Sequence, residues 1–156
     1  MEQFKTLEDL REYIKDIGSF YARPTTSGEH PTLYEGKNDG EHVCGIRKRD
    51  YLFSVCGKWV LPCNSMGLSF SAHWQHLKNV YRLKSTRNGG KPVDVYWVLE
   101  KADIPSGLKF IVDPNDKKKQ HYFLIVTEQM RVERLVSKLQ WMADRMSKVK
   151  NAQAAL

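Results

Sequence analysis

Apolar residues recur along this chain at two spacings, and the spacing separates helices from strands. Leu7, Leu10, Ile14 and Ile17 stand at helical intervals, preceded by Thr6-Leu-Glu-Asp9, a capping-box string with Asp9 in place of the usual Glu. Gly18 follows as a natural stop, so the pattern predicts an N-terminal helix over 6–18. Residues 22–42 then lose all periodicity. They are rich in Gly, Pro, Thr and charge and read as one long loop, interrupted at most by a short strand at Thr32-Leu-Tyr34. A loop of that length in a compact domain is expected to border a cleft.

From His42 the pattern shortens to strands. Val43–Arg47, Asp50–Val55 and Lys58–Leu61 are predicted with tight connections, the last turn marked by Cys56-Gly-Lys58. Gly67–Phe70 is a further short strand. Ser71 is placed to cap a helix over about Ala72–Leu83, with Trp74, Leu77 and Tyr81 on one face. Ser85–Pro92 is a turn signal, and Val93–Leu99, Leu108–Val112 and His121–Val126 follow as strands. The last is apolar nearly throughout, as a strand buried on both faces would be. A closing helix is expected over 128–148, where Val132, Leu135, Val136, Leu139, Met142, Ala143 and Met146 fall on one arc. Arg131, Arg134, Lys138 and Arg145 fall on the adjacent arc with Trp141 close by, and Glu133 and Asp144 lie on the far side. This order of elements predicts an α+β fold with a mixed or antiparallel sheet.

Composition narrows the class. A chain of 156 residues suits one domain, 1–156, with one core, and 41% hydrophobic with 28% charged residues is ordinary for a globular protein. No apolar run approaches the roughly 18 residues of a membrane span. The charged N-terminus lacks an apolar signal region. A cytoplasmic site of action is therefore expected, with any export following a route that needs no cleaved signal peptide. Cys44, Cys56 and Cys63 have no paired spacing, which favours buried, reduced thiols. With no C-x-x-C beside His42, no metal site is expected.

The formal net charge of +7 favours a polyanion partner, either nucleic acid or an anionic dinucleotide. Part of it lies in the lysine run of Asp113-Pro-Asn-Asp-Lys-Lys-Lys-Gln120, which by itself reads as a solvated loop. Common catalytic signatures are missing: G-x-G-x-x-G, G-x-S-x-G, Walker A, H-E-x-x-H, the EF-hand loop and the RNP1 string. What remains is a scattered polar set: Arg47, Arg49, Ser69, Ser71, His73, His76 and His121. Alternation in Gly67-Leu-Ser-Phe-Ser71 puts Leu68 and Phe70 on one face and the two hydroxyls on the other. Small hydroxyls leave room for a ligand and offer it donors, and the glycine permits close backbone approach. The alternative is local, with Ser71 a helix cap and Ser69 a satisfied strand residue.

Three features carry a family resemblance. They are the Gly67-x-Ser69 turn with its following amphipathic stretch, the string Ala102-Asp-Ile-Pro-Ser-Gly-Leu-Lys109, and His121-Tyr122 opening a strand followed by Met130 and the Glu133-x-Leu135…Leu139 helix. Across about Met66–Leu139 the chain resembles the NAD-dependent toxin effectors of type VI secretion, which have an ADP-ribosyltransferase-like fold. The resemblance implies a small split sheet flanked by helices, with a cleft that takes NAD in a bent form. It implies chemistry at the nicotinamide ribose through an oxocarbenium-like state, as an ADP-ribosyltransferase or an NAD glycohydrolase. Ser69 then matches the polar residue of the central strand and His121 the histidine that opens the later strand. Ser71 is a neighbour able to contact nicotinamide or ribose. Tyr34-Glu35 stands where a Tyr-Arg pair is expected, so Tyr34, Arg47, Arg49 and His42 are the candidates for holding phosphate or ribose. Glu128 is the candidate late catalytic glutamate, with Glu100 as its rival. An immunity or antitoxin protein is the implied partner, and a nucleic acid or protein the implied acceptor. The residues alone support a different reading as well. The positive charge, the basic arc and Trp141 fit a nucleic-acid-binding or RNA-cleaving domain, with a His/Lys/Arg set as general acid and charge stabiliser.

Overall fold

A computed structural model describes residues 5–15, 17–25, 42–98 and 104–153. Helix α1 spans Leu7–Ile14, and its first turn is closed by Thr6, whose side chain accepts the Asp9 N–H at 3.1 Å. Helix α2 spans Trp74–Arg87 and α3 spans Val132–Arg145. The strands are β1 (Tyr21–Thr25), β2 (His42–Val43), β3 (Ile46–Arg47), β4 (Leu52–Phe53), β5 (Trp59–Leu61), β6 (Leu68–Ser71), β7 (Val93–Val98), β8 (Leu108–Val112), β9 (His121–Val126), β10 (Met130–Arg131) and β11 (Ser147–Ala152). Six form the main sheet, in the order β11-β7-β1-β6-β9-β8, and each pairing in it is antiparallel. Strands β10-β5-β4 make a small second sheet, and β2-β3 a hairpin. The protein is α+β, a mostly antiparallel sheet flanked by helices.

Strand alternation sorts the core to two sides of the main sheet. Tyr21, Phe70, Leu124 and Val126 meet Leu135, Leu139 and Met142 of α3 on one side. Ala22, Val93, Val95 and Val149 meet Leu7, Leu10, Leu77 and Tyr81 of α1 and α2 on the other. Gly67 is required at the entry to β6. A Cβ there would stand 2.5 Å from the Leu124 carbonyl oxygen, so only glycine lets β6 close onto β9 at this point.

One joint in the sheet is weak. Strands β1 and β7 pair over five residues and β6 and β9 over four, but β1 and β6 share a single pair, Ala22 with Ser71. The next positions along β1 are Arg23 and Pro24. Proline has no N–H to give to a ladder, so the pairing with β6 ends there and the sheet splits.

Several predicted boundaries are corrected. The predicted loop over 22–42 begins with β1, an interior strand of the main sheet; its residues 26–41 lie outside the described residues. Val43–Arg47 is a hairpin rather than one strand, because Cys44 and Gly45 both take positive φ, 53° and 87°. The strand predicted over Asp50–Val55 shrinks to Leu52–Phe53. Helix α1 ends at Ile14, leaving Ile17 exposed beyond it. Helix α2 is capped by His73, whose Nδ1 accepts the Gln75 N–H at 3.2 Å, while Ser71 is the last residue of β6. The terminal helix does not run over 128–148. It ends at Arg145, Met146 is extended, and Ser147–Ala152 turns back to pair with β7. Cys44 and Cys56 are exposed in hairpin turns instead of buried.

Candidate functional site

The split between β1 and β6 opens into a cavity of about 480 Å³, walled by Arg23 and Pro24 of β1, Ser69 and Ser71 of β6, His76 of α2 and His121 of β9, with Asp116 at its edge. Antiparallel register explains why these residues meet. Ser71 stands directly opposite His121, and Ser69 opposite Phe123, so hydroxyls and imidazole share a face. Helix α2 starts three residues after β6 and brings His76 back over the strand that precedes it. Ser69 is exposed to the cavity, whereas Ser71 is 2% exposed, with Oγ 2.6 Å from His76 Nδ1. The His76 and His121 rings stack at 5.5 Å with 26° between their planes.

His121 is held from several directions. Asp113, just past the end of β8, places Oδ2 2.9 Å from its Nδ1. A carboxylate accepts, so Nδ1 carries the proton toward Asp113 and Nε2 is the nitrogen left for a ligand. The edge of Phe123 packs at 5.0 Å. Asp116 secures the backbone, accepting from the N–H groups of His121 at 2.7 Å, Gln120 at 2.8 Å and Lys118 at 3.1 Å. Those amides, His121 first and Gln120 next, hold the Asp116 carboxyl below its usual range. The acids of the lysine-rich segment thus fold the loop and seat the histidine, while Lys117, Lys118 and Lys119 stay exposed.

His76 differs in electrostatics. Burial pushes its pKa below the ordinary 6.5, and the neighbouring His121 pushes it further the same way. It is a neutral imidazole at pH 7, able to accept a proton. Arg23 lies across the split with its guanidinium carbon 5.7 Å from the Phe70 ring centroid. The lining thus combines two hydroxyls, a neutral imidazole and a second imidazole braced by a carboxylate, with Arg23 bordering it from β1. That set can bind an anionic, hydroxyl-bearing ligand and move a proton.

Among the residues singled out from sequence, Ser69, Ser71, His76 and His121 meet in this cavity. Arg47 does not line it; its Nε binds Asp50 Oδ2 at 2.8 Å beside β3. Arg49 is exposed in the turn that follows. Glu128 is exposed past the far end of β9, roughly 20 Å from His121 at about 3.3 Å of strand rise per residue. Tyr34, Glu100 and the His42 side chain lie outside the described residues. Sequence reasoning missed Arg23 and Asp113, and gave His76 no role in the site. The available signal for Arg23 was the buried triplet Phe20-Tyr21-Ala22 immediately before it.

A second hollow, of about 540 Å³, lies at the opposite end of β8. It is lined by Pro105 and by Arg134, Lys138 and Trp141 of α3, with Glu133 and Ser137. Trp141 is 41% exposed, Arg145 covers its ring at 3.7 Å, and Lys138 Nζ donates to the Ser106 carbonyl at 2.6 Å. Arg131, predicted on the same arc, turns instead toward Trp59, 5.4 Å from its ring. Among the described residues there is no cluster of His, Cys, Asp and Glu able to hold a metal ion, and no helix long and apolar enough to cross a membrane. No family model, curated protein or solved structure matches the chain.

Proposed function

We propose that this protein is an NAD-dependent toxin of ADP-ribosyltransferase-like fold, with the split between β1 and β6 as its NAD cleft. One observation carries the reading. Hydroxyls on β6 and a histidine on β9, the positions that the Gly67-x-Ser69 and His121-Tyr122 resemblance implies, line a single cavity that Arg23 of β1 also borders. Its volume falls within the roughly 300–1,000 Å³ usual for small-molecule sites. Arg23 supplies the guanidinium for the pyrophosphate that Arg47 and Arg49 were candidates to provide. Ser69, exposed on the cavity floor, faces the nicotinamide ribose, and His121 is aimed by Asp113.

The chemistry asks little of a nucleophile. The C1′–N bond breaks with its electron pair going to the pyridinium nitrogen, which leaves as neutral nicotinamide. The enzyme's part is to hold the ribose and favour the oxocarbenium-like state by positioning and fixed dipoles. Glu128 has no role in this reading, given its distance from the cavity. The test is expression in bacteria, where the protein is expected to arrest growth. Ser69→Ala and His121→Ala are expected to relieve the arrest while accumulating to the same soluble level. Undiminished toxicity of both variants would remove the site from the account.

The hollow on α3 favours a second reading, nucleic-acid binding, because three cations surround an exposed tryptophan there. If that surface binds single-stranded RNA, affinity falls with salt at a slope of about −0.7 per phosphate neutralised. Replacing Arg134, Lys138 and Arg145 together should then flatten the slope by about 2. A salt-independent interaction, or none, would dismiss this reading.

A further inference from the structure

We propose that the cleft contains a built acceptor subsite in which His76 is the general base. It takes the proton from an O–H nucleophile as that oxygen attacks the nicotinamide ribose, so the second substrate is water or a hydroxyl-bearing molecule. This inference rests on the NAD reading above and adds to it a residue and an acceptor class that the reading does not require.

Proton balance decides which side of the reaction needs a base. Departing nicotinamide needs no acid, since the electrons of the breaking bond neutralise its own positive charge. A base is needed only on the side of the nucleophile, and only for some nucleophiles. A carboxylate or thiolate arrives already deprotonated, and a guanidinium is a cation with no free lone pair to attack until a proton of pKa above about 12 has been removed, whereas a neutral O–H attacks with its own lone pair and becomes acidic as it does so. A hydroxyl or water is the acceptor whose proton an imidazole can take as the bond to carbon forms.

The geometry supplies that imidazole. His76 and His121 stack at 5.5 Å and line the same cavity as Ser69, the residue assigned to the ribose, so a base on His76 shares the cavity in which the ribose would sit. Ser71 Oγ, 2.6 Å away and 2% exposed, anchors Nδ1 from the buried side. We take the tautomer in which Nδ1–H donates to Ser71, so that Nε2 carries the lone pair. Ser71 is therefore a positioning residue for His76. The titratable groups facing His76 are His121 from β9, Asp116 from the β8–β9 connection and His73 at the start of its own helix, while the guanidinium of Arg23, which borders the cavity from β1, lies over Phe70. Burial, and after it His121, keeps the ring neutral and ready to accept. In the step itself the acceptor oxygen bonds to C1′ and the C1′–N bond breaks with its pair on nicotinamide. The proton passes to His76 Nε2 and then to solvent, giving nicotinamide and ADP-ribose or an O-linked ADP-ribosyl product.

The experiment uses the purified full chain and NAD labelled in the nicotinamide, with release followed from pH 5 to 8. For the wild type, kcat is expected to rise with pH through an inflection below 6.5 and then level off. His76→Gln should lower kcat by about 10²- to 10⁴-fold, erase the inflection and leave KM for NAD within about threefold. Azide, a nucleophile with no proton to lose, should restore nicotinamide release in His76→Gln. Ser71→Ala should shift the inflection without erasing it. A flat wild-type profile overturns the proposal without reference to any variant. So does His76→Gln with wild-type kcat, or with a raised KM at unchanged kcat. Wild-type protein that releases no nicotinamide defeats the NAD reading, and this inference with it; turnover that survives in His76→Gln defeats this inference alone.

Discussion

At the scale of single residues, the proposed site divides into groups that would touch a ligand and groups that aim them. Arg23 is the one cation among the described cavity residues. A charge-assisted hydrogen bond is worth about 1.5–3 kcal/mol. Arg23→Ala is therefore expected to weaken NAD binding by roughly 10- to 150-fold by calorimetry, and Arg23→Lys to recover only part of it, since an ammonium cannot span two phosphate oxygens. Equal affinity in all three proteins would mean that the pyrophosphate lies elsewhere. Residues that aim were the harder ones to read. Ser69 and His121 stood out because alternation and the family resemblance pointed to the same places. Asp113 and Asp116 sat inside a lysine run that reads as solvent-exposed, and their roles arise only when the loop folds its amides onto Asp116. His76 looked like a polar residue on a helix surface; only the short step from β6 to α2 turns it toward Ser71.

At the scale of elements, the cleft depends on one close approach and one interruption. The close approach is β6 against β9, which sets Ser71 opposite His121 and which Gly67 permits. Gly67→Ala would put a methyl group 2.5 Å from backbone oxygen, so the strands must part. A loss of about 1–3 kcal/mol in urea unfolding is expected, with nicotinamide release falling as well. Wild-type stability would show that the strand entry is more accommodating than its geometry. The interruption is Pro24, and the same residue explains why β1 was hidden. Arg-Pro-Thr has the composition of a loop, and the segment is a strand because β7 pairs with all five of its residues. Strand β11 was hidden for a different reason. Its ladder shifts register between Val149 and Ala152, where Asn151 takes φ 49° and gives its N–H to buried Asp94 at 2.8 Å. That bulge lets Val149 and Ala152, three apart, face the same core, a spacing that reads as a helical face as well as a strand. Helices α2 and α3 were legible because their apolar faces pack on the sheet at the positions periodicity selects.

For the whole molecule, the charge of +7 has two visible centres, and they serve different readings. Lys117, Lys118 and Lys119 crown the loop that seats His121, where on the NAD reading their positive field would draw an anionic dinucleotide toward the cleft. The cations of α3 surround Trp141 at the opposite end of β8, away from the cavity between β1 and β6. The α+β class followed from the order of periodic segments, but the split did not, because it depends on which strands become neighbours in space. Strands far apart in the chain, β1 and β6, meet at a single residue pair, and the space beyond that pair is the cavity. The central claim is that this split binds and breaks NAD. Its most direct test is to incubate the purified protein with nicotinamide-labelled NAD and count released nicotinamide, beside His121→Ala matched for folding by circular dichroism. The account predicts release by the wild type and a loss of at least about 10²-fold in the variant; no release by the wild type, or equal release by both, would contradict it.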